Sequence, residues 1–195
     1  MRHDFRMNSS MIAPGFLVAA PQLKDPNFES TVILMLEHDD EEGSLGLVIN
    51  RPAAVKLDMV LGEMQIATPV PINLSEHPPL LYGGPVSPER GWLLHTPDWT
   101  GSETRAVDEG LSVTASRDIL DAIASGVGPE KYRFCLGYSG WGPHQLVSEI
   151  KTGAWINVPF FVDLVFDVDL DDIWAEALAR LGIDPAQLVA TVGDA

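Results

Sequence analysis

The run Thr31-Val32-Ile33-Leu34-Met35-Leu36 does most to limit what this chain can become. It offers water no polar face, so it predicts a central strand covered on both sides. The tract Glu37-His38-Asp39-Asp40-Glu41-Glu42-Gly43 ends it as a polar turn, and Ser44-Leu45-Gly46-Leu47-Val48-Ile49-Asn50 resumes as a strand. Two apolar strands joined by a polar, glycine-containing turn predict a hairpin.

Other strand signals are Phe16–Ala20, closed by Pro21, and Leu80-Leu81-Tyr82 and Trp92–His95 on either side of Gly83-Gly84-Pro85. Leu111–Thr114, Tyr132–Tyr138 and Phe161–Phe166 read as further strands. Helical patterns lie between them. Leu57–Met64 predicts a short helix, and residues 67–79 a proline-rich irregular crossing. Ser116 is placed to cap a helix carrying Ile119, Leu120 and Ile123, stopped by Gly126. Pro143 is placed to open one through Leu146, Val147 and Ile150. An acidic start at Asp169, Asp171 and Asp172 leads a helix with Trp174, Ala177, Leu178 and Leu181 inward, and Asp184-Pro185 starts a last short one. Strands and helices do not alternate, so the expectation is α+β and not a doubly wound parallel sheet.

The length suits one domain, with residues 1–11 expected as a flexible leader. A formal net charge of −16 repels phosphate backbones, so direct nucleic-acid binding is disfavoured. Pro14-Gly15 interrupts the apolar stretch near the start, and no run approaches the roughly 18 apolar residues that span a bilayer. The expected setting is cytoplasmic, away from membranes. The single cysteine, Cys135, sits in a strand-like run and reads as a small buried hydrophobe.

Gly137-Tyr138-Ser139-Gly140-Trp141-Gly142-Pro143-His144 is the densest special segment. Read as a strand running through glycines into a helix, it would leave free N–H groups suited to an anion. The dinucleotide, Walker and nucleophile-elbow patterns all fail here, since Gln145 stands at the third glycine of the first and Trp141 ends the last. A tight turn with Trp141 packed on the sheet is the plainer reading. Arg51 and Arg90 stand at strand boundaries. A small anionic ligand held by Arg51, Arg90, His95, Gly140, Gly142 and His144 is one expectation, and a protein partner is another. A hydrolase using Ser139 or His144 is the alternative. No catalytic residue, cofactor or metal is assigned; His38 beside its acidic neighbours lacks calcium-loop spacing.

An ordered set of segments resembles the YqgE/AlgH family of bacterial proteins. It comprises Pro14–Pro21, Asp25-Pro26-Asn27-Phe28, Glu37-His38, Gly46–Pro52, Gly83–Val86, Arg90–His95, Gly137–Pro143, Gln145-Leu146, Ala154-Trp155 and Leu181–Asp184. The resemblance runs from about residue 11 to the end and implies a single domain over 12–195. It implies an α+β fold with a strongly bent, barrel-like mixed sheet flanked by helices. It also implies a regulatory role, without an established activity, cofactor or catalytic residue. The chain departs from the family where Asp194 replaces a histidine near the end, and at Glu29-Ser30, where a basic residue is usual.

Overall fold

Burial on both faces, strand after strand, organises this protein. The computed structural model describes residues 12–68 and 73–184. In β1 (Gly15–Ala19) and β2 (Val32–Asp39) alternate side chains feed two different cores. Phe16, Val18, Val32, Leu34 and Leu36 enter one, and Leu17, Ala19, Ile33 and Met35 the other. Period-two side-chain geometry makes that division automatic once both faces are covered. Each fully buried aliphatic side chain contributes roughly 1.5–3 kcal/mol.

β2 turns into β3 (Gly43–Val48) as the predicted hairpin, with a bulge between Met35 and Glu37. The strand continues further than expected, through Glu37-His38-Asp39, and the turn is confined to Asp40–Glu42. Asp39 Oδ1 accepts from the N–H groups of Glu41 and Glu42 at 2.8 and 2.9 Å, which closes it. His38 and Ser44 face each other across the hairpin, Nδ1 to Oγ, at 2.7 Å.

The remaining strands are β4 (Leu81–Tyr82), β5 (Val86–His95), β6 (Arg105–Asp108), β7 (Leu111–Thr114), β8 (Tyr132–Trp141) and β9 (Trp155–Pro159). Their order across the sheet is β6-β7-β5-β8-β3-β2-β1-β9, with β4 added parallel to β8 and every other pairing antiparallel. β8 joins the halves: Tyr132–Leu136 pairs with β5, and Ser139–Trp141 pairs with β3. The sheet bends so far that Arg105 on its end strand forms an ion pair with Glu37 on β2. A bent, barrel-like mixed sheet is what the family resemblance implied.

Among the described residues five short helices flank it: α1 (Leu57–Glu63), α2 (Asp118–Ala124), α3 (Gln145–Lys151), α4 (Val162–Phe166) and α5 (Ile173–Ala179). Leu164, Val165, Ile173, Ala177 and Leu178 close the concave core. α1 and α2 pack against the outer face of β5 and β8 through Leu57, Leu61, Ile119, Leu120 and Ile123. Leu146 of α3 and Trp155 close the outer face of β1–β3.

Several expectations need correction. Phe161–Phe166 is mostly helix, because Arg133 donates from Nε and Nη2 to the carbonyls of Val165 and Phe166 and caps its C-terminus. β6 and β9 were not anticipated. Leu181 is exposed just past α5, not inward. Ser116 does not cap α2 as an acceptor; its hydroxyl donates to the Ser102 carbonyl and to Asp118. Pro143 does not open α3, since His144 is the capping residue. Cys135 is buried as expected, and desolvation pushes its thiol up to about 12. The leader, the Asp184-Pro185 helix beyond Asp184, and Asp194 lie outside the described residues.

Candidate functional site

Gly137–Trp141 is strand, not a strand-to-helix turn. Ser139 and Gly140 pair with Gly46 and Leu45, so their backbone groups belong to the ladder. Ser139 is fully buried, and its hydroxyl donates to the Gly83 carbonyl at 3.3 Å, which keeps it from any substrate. The amides past the strand are occupied too. Gly142 N–H donates to Gln145 Oε1 at 3.0 Å, and His144 N–H to the Asp40 carbonyl at 2.8 Å. His144 is exposed, in the left-handed region at φ 60°, before a helix of seven residues.

Gly140 lines a concave cleft of about 490 Å³ with Glu37, Asp39, Glu42, Leu45, Val86 and Tyr138. Arg105 pairs with Glu37, but Asp39 and Glu42 leave the cleft negative, the opposite of what an anionic ligand needs. Hydrogen bonds from the Glu42 and then the Glu41 N–H hold the Asp39 carboxyl below its ordinary range.

The other expected site residues are dispersed. Arg51 spends its guanidinium on the carbonyls of Pro26 and Asn27 through Nη1 at 2.9 and 2.8 Å, and of Glu29 through Nη2 at 3.0 Å. Arg90 stacks over the Trp92 ring at 4.5 Å. His95 is fully buried, with Nδ1 at 2.8 Å from the Thr96 carbonyl and Nε2 at 2.8 Å from Thr114 Oγ1. A carbonyl only accepts, so Nδ1 carries the proton and Nε2 accepts from the Thr114 hydroxyl. Arg51 and Gly140 line different clefts, and neither Arg90 nor His95 lines either of them.

Desolvation holds the His95 imidazole below its ordinary value of 6.5, outweighing the opposing effects of the Thr96 carbonyl and Asp98. Between the folded and unfolded values the unfolded chain binds more protons, so stability rises with pH there. His95 therefore leaves stability intact above about 6.5 and removes it as pH falls below that value. Urea unfolding from pH 7.5 to 5 is expected to show this loss, and His95→Gln to flatten it. An unchanged slope in His95→Gln would contradict the buried neutral imidazole.

A different surface carries an apolar hollow. On the outer face of the sheet, Leu93, Phe134 and Leu136 floor a trough of about 390 Å³, with Val60 and Met64 on one wall and Ala115 and Leu120 on the other. Val55, Pro88 and Leu136 also line a second hollow, of about 490 Å³, flanked by Asn27, Arg51 and Tyr82, so the two adjoin. The rim at Pro88-Glu89 comes from an irregularity in β5, where residues 87–90 lie opposite Gly137 alone between the Val86–Tyr138 and Gly91–Leu136 pairs. Bulges commonly re-aim side chains beside functional sites. Sequence reading had reached Arg51 but not this floor. Among the described residues, no three His, Cys, Asp or Glu side chains gather as a metal-binding group. No described helix is long and apolar enough to cross a membrane.

A family model described as AlgH-like matches residues 16–186. A UPF0301 protein of Anaeromyxobacter dehalogenans is 43% identical over 188 residues, covering 94% of this chain and 95% of that one. One from Shewanella denitrificans is 42% identical over 179 residues, covering 91% and 95%. The solution structure of the AlgH protein from Pseudomonas aeruginosa is similar at 36% identity and a TM-score of 0.77, covering 97% of each chain. A crystal structure from Corynebacterium diphtheriae, at 22% identity and TM-score 0.67 over 93% and 92%, shares the fold.

Proposed function

The chain belongs to the AlgH-like family, and from that premise we propose that it is a regulatory binding protein that holds a segment of a partner protein in the outer trough. The observation that carries this reading is the apolar hollow between α1 and α2, where half-buried Val60, Met64, Ala115 and Leu136 show surface above the buried Leu93 and Phe134, and which adjoins the hollow beside Arg51 at Val55. Contiguous apolar surface left open between polar rims is what protein-recognition grooves require. Val55, 36% exposed, stands where the hollows meet. Regulation would follow from occupancy of the partner and would need no chemistry in this chain. The −16 charge favours a protein partner over nucleic acid.

Selection of a displayed library of random peptides on the native protein tests the reading. Binders are expected to be enriched, and to fall at least tenfold on the Val55→Gln/Met64→Gln variant. Melting curves would establish that this variant stays folded. Recovery at background, or equal recovery on both proteins, would overturn the trough as a binding site.

A further inference from the structure

We infer that the segment held in the trough carries lysine or arginine beside its apolar anchor, an inference that rests on the trough being the binding site. The argument comes from how its charged groups are already paired. The cations at the trough are committed. Arg51 is spent on three backbone carbonyls. Arg117 faces Asp121 at 3.7 Å and donates to the Gln65 carbonyl at 3.3 Å. The two carboxylates on the main hollow, Glu63 at the end of α1 and Glu89 on the β5 irregularity, are exposed and have no partner among the described residues.

A trough with satisfied cations and unsatisfied anions is selective by charge as well as by shape. An acidic segment laid on the apolar floor would meet Glu63 and Glu89 with no free cation in this hollow to compensate. A basic one would pair with both. The net charge of −16 acts in the same direction at longer range, steering a basic segment toward the molecule. Lys56 lies beyond Val55, on the neighbouring depression with His77, and not in this hollow. The expected ligand is therefore one or two apolar side chains seated among Val60, Met64 and Leu136, with a cation reaching each rim.

The composition of the selected peptides tests this. Lysine and arginine should exceed aspartate and glutamate severalfold beside the apolar anchor. Affinity for one selected peptide should fall about three- to tenfold in Glu63→Gln/Glu89→Gln, the effect of losing two exposed ion pairs. It should fall also when ionic strength rises from about 0.05 to 0.5 M, where the screening length becomes shorter than the rim. Neutral or acidic peptides bound equally well by Glu63→Gln/Glu89→Gln would overturn the charge inference and leave the trough standing. If no peptide is enriched at all, the trough reading itself falls, and this inference with it.

Discussion

Gly84→Ala is expected to cost more than about 4 kcal/mol, enough to leave little folded protein. Gly84 has φ +150°, and a β-carbon there would lie 2.2 Å from the Tyr138 carbonyl carbon and 2.4 Å from the Ser139 nitrogen. Those atoms are backbone of β8, the strand both halves share, so nothing flexible can yield. Gly137 meets the same crossing from the other side, since its β-carbon would stand 2.4 Å from the Gly84 carbonyl oxygen. The contrasting change is Gly62→Ala. That position is inside α1 with nothing within 4 Å, so alanine should stabilise by roughly 0.5–1 kcal/mol. Chemical unfolding of both variants checks the pair; a native-like Gly84→Ala would refute the crossing.

Glu149→Ala carries the next largest effect, a loss of about 3 kcal/mol or more. Glu149 Oε2 accepts from two indoles, Trp141 Nε1 at 2.9 Å and Trp155 Nε1 at 2.8 Å, while Oε1 accepts from Gln145 at 2.9 Å. Both indole rings are buried, and Phe28 packs against them with centroids 6.4 and 5.5 Å away. Alanine would strand two buried N–H donors, each costing about 1–3 kcal/mol. Glu149→Gln keeps one amide oxygen as acceptor and should recover most of the loss. Urea midpoints of the three proteins decide this; equal midpoints for wild type and Glu149→Ala would rule out the shared carboxylate as a clamp.

Much of the sheet was legible because burial on both faces leaves a mark in sequence. Thr31–Leu36 and Ser44–Asn50 can only be interior strands, and the structure pairs them as one hairpin. Phe161–Phe166 was not legible, since a short apolar run fits strand or helix equally. Its helix is fixed by Arg133, more than thirty positions earlier. Trp155–Pro159 hid behind its polar centre and final proline. The glycines from Gly137 to Gly142 drew attention as a ligand loop, yet Gly137 serves a backbone crossing and Gly140 a strand facing carboxylates. The trough escaped for the opposite reason. Leu93 and Phe134 are core residues, each only 2% exposed, and nothing local says that a hollow opens beside them. The hollow persists because α1 and α2 have seven residues each, about 10 Å of helix, too short to close the gap between them.

The ion pair of Arg105 with Glu37 draws the bent sheet together through side chains, not through a backbone ladder. Among the described residues β6 and β9 therefore stand at the two ends of the sheet path, and each carries features that discourage pairing with a neighbouring molecule. β6 is four residues long and bounded by Arg105 and Asp108; β9 ends in Pro159, which has no N–H to offer. A short end strand on one side and a proline-ended one on the other give neighbouring copies little to zip onto.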